Sequence, residues 1–190
     1  MSAQIHDDQT FTDITFSKEV VRNAEYNNCT FIRCDFTECG FAVTKFIDCV
    51  FENCNLSMIK LERCTLNNVV FKQCKMLGIN FTPCEDFLFN VRFESSSLDY
   101  SSFMMKNIPR TKFIRSSLRE VTFTQANITG SVFDQCNLEG AIFDHTILSS
   151  VDFTTAENYI IDPELNTMKK AIFAANGLEG LLYKYDVKIV

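Results

Sequence analysis

Large apolar residues recur at every fifth position over most of this chain. The series runs Phe11, Phe16, Val21, Tyr26, Phe31, Phe36, Phe41, Phe46, Phe51, Leu56, Leu61, Leu66, Phe71, Met76 and Phe81. It slips by two residues, then resumes at Leu88, Phe93, Leu98, Phe103, Ile108, Phe113, Leu118, Phe123, Ile128, Phe133, Leu138, Phe143, Leu148 and Phe153. A beat of five matches neither the roughly 3.6-residue period of a helix nor the two-residue alternation of a strand. It predicts a repeat architecture, in which short units stack on their neighbours to bury one continuous core.

A second inward position lies two residues before each of these centres. Cys29, Cys34, Cys39, Cys49, Cys54, Cys64, Cys74 and Cys136 occupy it, and Cys84 continues the same phase up to the slip. Elsewhere it holds mostly small or β-branched residues such as Ala24, Thr44, Val69, Ser96 and Ala126. The cysteines therefore read as small buried side chains rather than as disulfide partners or metal ligands. Five residues cannot turn a chain fully, but four such units make a square coil of twenty. Sorted by twenty, with the slip taken as a two-residue bulge, one column becomes Phe11, Phe31, Phe51, Phe71, Phe93, Phe113, Phe133 and Phe153. In the later coils, columns of Leu or Ile alternate with columns of Phe.

This pattern over residues 11–155 resembles the pentapeptide-repeat family. The resemblance implies an all-β fold, a right-handed quadrilateral β-helix (the pentapeptide-repeat solenoid), here with a small helix-containing cap at its C-terminal end. With coils stacked about 4.8 Å apart, roughly seven coils give a rod about 35 Å long. Sixteen of the nineteen phenylalanines sit at centres, so aromatic stacking along the axis is expected to dominate stability. Residues 1–155 are expected to form the β-helix and residues 156–190 the cap.

The slip at Pro83-Cys84-Glu85-Asp86-Phe87 is expected to bulge outward, with Phe87 and Phe89 out of register. Asp86 and Lys106 both fall two before a centre and lie one coil apart. An inward charge without a partner is costly, so the two are expected to pair.

After Phe153 the register is expected to stop. Asp162-Pro163 and Asn166 predict a turn, and Met168 to Ala174 a strand. Asn176 and Glu179 suit a helix start. Leu178, Leu181, Leu182 and Tyr185 then form an apolar stripe at helical spacing, and Val187 to Val190 closes as a short apolar segment. An open coil end needs a cap. Residues 160–190 also resemble the tail of the microcin B17 immunity type, which implies that the same stripe joins two rods into a homodimer.

Charge is distributed unevenly along the chain. Residues 1–119 hold fourteen acids and fourteen bases. Glu120, Asp134, Glu139, Asp144, Asp152, Glu157, Asp162 and Glu164 then follow with no lysine or arginine before Met168. Asp134, Glu139 and Asp144 directly follow centres, so they point outward. With Asp152 and Glu157 they form a candidate partner-binding acidic belt. The gyrase-protecting and Qnr-like branch of the family implies a use for it: mimicry of DNA toward a type II topoisomerase such as DNA gyrase, with protection from a toxin or antibiotic. The alternative is a structural or scaffolding repeat protein with another cytosolic partner. Arg92, Lys106, Arg110, Lys112, Arg115 and Arg119 make the preceding coils basic, and the long projecting loops of Qnr-type proteins are missing. Direct nucleic-acid binding is disfavoured by the acidic stretch.

No phosphate loop, Ser-His-Asp order or metal motif is present. His6 precedes the repeat, and His145 beside Asp144 suits a solvated surface. The expectation is a protein without catalytic residues, metal or cofactor. No run is long and apolar enough for a membrane span, and Met1 to Asp8 lack the layout of a signal peptide, so a cytoplasmic location is expected.

Overall fold

The computed structural model describes residues 4–16, 18 and 20–188. In each pentad the chain runs extended through the centre and then turns a corner. The corner residue, two after the centre, adopts positive φ: Asn28 at 50°, Arg33 at 52°, Asn53 at 54° and so on up the rod. Asp and Asn tolerate this left-handed conformation better than other side chains, which accounts for their frequency at corners. Four corners close one coil, and residues twenty apart become neighbours.

All ladders between coils are parallel. One face carries seven short strands, from Thr10–Thr12 to Val132–Asp134. A second carries four, from Gln4–Asp7 to Thr65–Asn67, and a third carries three, from Val20–Arg22 to Lys60–Glu62. The fourth is held by single bridges running from Thr15–Asp35 to Asn137–Glu157. The beat begins earlier than the sequence pattern indicates. His6 sits inside a strand, and its ring stacks on Tyr26 at 4.8 Å and 8°.

The all-Phe column is a continuous ring stack. Successive centroids from Phe11 to Phe153 lie 4.6 to 5.3 Å apart. Each fully buried Phe contributes roughly 1.5–3 kcal/mol relative to exposure. Rings of neighbouring columns meet edge-on, as Phe113 does with Phe123 at 83°, the geometry that the ring quadrupole favours.

At the position two before each centre, Cys, Ser and Thr side chains do more than fill space. The thiols of Cys29, Cys34, Cys49, Cys54 and Cys74 donate to the carbonyl two residues back and to a carbonyl of the preceding coil. The hydroxyls of Thr44, Ser96 and Thr146 do the same. Ala24, Val69 and Ala126 fill the same buried position by size alone, and Cys, Ser and Thr add a hydrogen bond to it. All nine cysteines are buried and none is in a disulfide; burial pushes the Cys49 thiol up to about 11 and Cys64 and Cys136 up to about 12.

The slip differs from expectation in one respect. Cys84 stays in register with Cys64, and Val91 pairs with Val69, so the two extra residues are absorbed between Glu85 and Asn90. Leu88, the residue on the beat, takes φ 60° and is exposed, as is Phe87 at 79%. Phe89 turns inward in place of Leu88 and meets Phe81 edge-on. Lys106 and Asp86 do pair, at 2.5 Å, but unequally. The lysine side chain is 2% exposed and the aspartate 66%. Lys106 Nζ also donates to the Cys84 carbonyl at 2.8 Å and stands 4.7 Å from the Phe89 ring centre.

The register continues beyond Phe153. Thr167 bridges Ile147, Ile172 bridges Asp152, and Phe173 stacks on Phe153 at 5.1 Å. Met168 to Ala174 is thus part of one more coil, held by a bridge at Ile172, rather than a separate strand. The last coil is incomplete because Asn158, on the beat, takes φ 60° and Tyr159 turns inward instead.

The cap follows as three short helical pieces: a 3-10 turn at Ala175–Gly177, the α-helix α1 at Glu179–Leu182, and a 3-10 turn at Tyr183–Tyr185. Asn176 lies inside the first turn, and no side chain caps α1. Backbone contact with Tyr159 shapes this segment. A Cβ at Gly177 would stand 2.1 Å from the Tyr159 hydroxyl, and one at Gly180 2.1 Å from its carbonyl oxygen. Ile161 N–H donates to the Gly180 carbonyl at 3.0 Å. Because the helical pieces are short, the predicted stripe is not one face. Leu181 packs on the core, whereas Leu178, Leu182 and Tyr185 are exposed. Of the expected closing segment, Ile189 and Val190 lie outside the described residues.

Candidate partner-binding surface

On the rod, residues flanking a centre point outward, and the face each occupies follows from its place in the twenty-residue coil. Asp134 and Asp152 share the face of the Phe133 and Phe153 column. They line a groove of about 290 Å³ with Lys112, Ile114 and Val132. Thr155 donates to Asp134 at 3.0 Å, and Thr154 donates to Asp152 through its backbone N–H at 2.9 Å and its hydroxyl at 2.7 Å. Glu139 and Glu157 lie on the next face, where Glu157 bridges Asn137. Asp144 lies on a third, paired with His145 at 2.8 Å. The belt therefore wraps round three faces, and no single plane gathers all five carboxylates.

Two features give the belt its electrostatics. Among the described residues, Asp134, Glu139, Asp152 and Glu157 make no ion pair with lysine or arginine. Their neighbours one coil away are mostly neutral: Val132 and Ile172 flank Asp152, and Ile114 lies beside Asp134. Glu139 stacks beyond Arg119, but that guanidinium is turned to the buried Asp99, with Nη2 at 2.8 Å. Basic residues stand on the same face as Asp152, where Arg92 pairs in register with Lys112 and Lys112 with Val132.

The sequence pattern did not anticipate a cleft of about 840 Å³ between the last coil and the cap. Its walls include Glu157, Asn158, Tyr159, Asn176, Glu179 and Tyr183. The glycine pair at 177 and 180, inside a helix-like stretch, is the one sequence signal of this close approach. Of the four residues expected to cap or dimerise, Leu181 caps and the other three face solvent. The cap is tied down by Lys184, whose ammonium lies 2.7 Å from both Asp162 and Glu164, while Tyr185 donates to Glu164 at 2.8 Å. Lys184 holds both carboxyls below their ordinary values. Among the described residues no three His, Cys, Asp or Glu side chains converge as metal ligands, and no helix is long and apolar enough to cross a membrane.

A family model described as pentapeptide repeat region matches residues 24–103, and one described as pentapeptide repeats (8 copies) matches residues 112–154. No curated protein matches the chain. Full-length QnrB1, a plasmid-mediated fluoroquinolone resistance protein, superposes with TM-score 0.73 at 15% identity, covering 96% of this chain and 100% of that one. A trypsin-treated form of QnrB1 gives TM-score 0.72 at 15% identity over 99% of each chain. At that identity the likeness is one of fold. With the five-residue beat, the four-sided coil and both family models in agreement, the chain belongs to the pentapeptide-repeat family.

Proposed function

We propose that this protein is a non-enzymatic binding protein that acts on a type II topoisomerase such as DNA gyrase as a DNA mimic. In this role it protects the enzyme from, or modulates its response to, a toxin or antibiotic. The observation that carries this reading is the set of outward carboxylates on the final coils that have no lysine or arginine partner. Such a surface produces a field that steers a basic groove toward it. Fold likeness to a fluoroquinolone resistance protein supports the choice of partner. The protein acts in the cytoplasm, without direct contact to nucleic acid or membrane. It works as a homodimer through the C-terminal module, whose exposed Leu178, Leu182, Tyr185 and Val187 lie within ten residues of each other; a monomer by light scattering at micromolar concentration would count against the dimer.

The test is a gyrase supercoiling assay with and without a poison. Protection is expected with the wild-type protein. It should disappear on charge reversal at Asp134, Glu139 and Asp144, while the melting temperature is kept. No effect at micromolar protein would favour the second reading, a scaffolding repeat protein. That reading draws on the Arg92–Lys112 ladder, which gives the rod a mixed rather than a uniformly negative face.

A further inference from the structure

The cleft between the last coil and the cap is acidic on both sides. Glu157 stands on the coil wall and Glu179 on the cap wall, both exposed, and no lysine or arginine lines the space. Neither glutamate has a basic partner among the described residues, because Lys184 is committed to Asp162 and Glu164. Tyr183, 69% exposed, adds an aromatic ring to the same wall.

An independent observation comes from Tyr159. Its side chain lines the cleft, is 4% exposed, and carries a buried hydroxyl with no hydrogen-bond partner among the described residues. A buried polar group left unpaired is costly, and native structures rarely keep one without reason. The hydroxyl lies beside Gly177, where any side chain would collide with it. Only bare backbone covers it there.

We propose that this cleft binds the guanidinium group of an arginine side chain presented by a protein partner. A planar fork of N–H donors suits two carboxylates that approach from opposite walls. The Tyr183 ring offers a face on which the cation stacks. A small shift of the Gly177 turn lets the Tyr159 hydroxyl accept a further N–H, which relieves its unpaired state. Lysine, a compact point charge, uses this arrangement less well. The proposal rests on the protein-binding reading above and locates one cationic contact within it.

The test is a titration of the nitrogen-15-labelled full-length protein with capped arginine (N-acetyl-argininamide), followed by backbone amide shifts. Saturable shifts are expected at Asn158, Gly177, Glu179 and Gly180. Glu157→Gln with Glu179→Gln should weaken binding at least about tenfold, as should replacing the probe by capped citrulline, which keeps the shape without the charge. Glu62→Gln, an exposed acid outside the belt and the cleft, should leave binding unchanged. Equal shifts with citrulline would overturn the proposal. So would shifts spread evenly over Asp134, Glu139 and Asp144, since they would mean general attraction to an acidic surface. If the capped arginine binds in the cleft while gyrase is unaffected, the pocket stands and only the partner's identity is withdrawn.

Discussion

The five-residue beat fails at two places, Leu88 and Asn158, and the chain handles them alike at first and differently afterwards. In both, the residue on the beat takes φ 60° and the next residue, Phe89 or Tyr159, turns into the core instead. At the first slip the coil resumes two residues out of phase, sealed by a buried ammonium that bonds to Asp86 and to the Cys84 carbonyl. At the second only two faces resume, through Thr167 and Ile172, and a helical cap seals the rest by laying Gly177 and Gly180 on Tyr159. A slip is thus tolerated when something satisfies the interior it opens. A charge closes the interior slip, and glycine backbone closes the terminal one. The cleft with its unpaired phenol exists only at the second, because a cap laid across a coil end leaves a gap that a neighbouring coil would fill.

Breaking the seals separates the two cases. Asp86→Ala leaves the Lys106 ammonium buried with only a carbonyl and a ring, and should cost about 3 kcal/mol in urea unfolding. Adding Lys106→Met should return most of that loss, because an apolar chain of similar volume needs no partner. If the double variant is as unstable as the single one, the ion pair is not the seal. At the terminal slip, Gly180→Ala should cost about 1–3 kcal/mol through collision with the Tyr159 carbonyl, although alanine is the better helix former. Limited proteolysis should then release the cap while the coils stay intact; unchanged protection would mean that α1 is not seated on Tyr159.

The shared backbone geometry offers a finer contrast. Leu88→Asn should stabilise by about 1 kcal/mol, since leucine at positive φ is strained and here is exposed, whereas Asn158→Leu should destabilise by a similar amount. Equal responses of either sign would show that the two slips are not equivalent. The smallest effect concerns pH. Lys184 lowers the Asp162 and Glu164 carboxyls, so their contribution is present at neutral pH. It fades as pH falls through their lowered values, below the ordinary 3.8 and 4.5. Near-UV circular dichroism of the tyrosines should report this loosening between neutral pH and about pH 3, and Lys184→Met should flatten the curve, leaving little acid sensitivity in the cap.

How far the molecule could be read in advance depends on the range of the interactions. The twenty-residue column of phenylalanines and the burial of the cysteines both follow from a strict period, because a solenoid turns sequence distance directly into spatial distance. The same arithmetic places Asp134 and Asp152 on one face and Glu139 and Glu157 on the next. It fails where the period fails. Nothing in the beat says that Phe89 rather than Leu88 enters the core, since the choice depends on which residue bears positive φ. The capping box at Asn176 and Glu179 is a sound local pattern. It lost to the docking of Gly177 and Gly180 on a residue some twenty positions earlier.

By itself, then, the sequence determined the coil, its core columns and the outward direction of the acidic residues, since all three are consequences of periodicity and burial. The tertiary structure alone decided how each break is sealed, how far the coil continues past Phe153, and that the cap stands off from the last coil to leave an acidic cleft around Tyr159. Those outcomes depend on contacts between segments that share no period, and steric fit between particular side chains and backbone settles them.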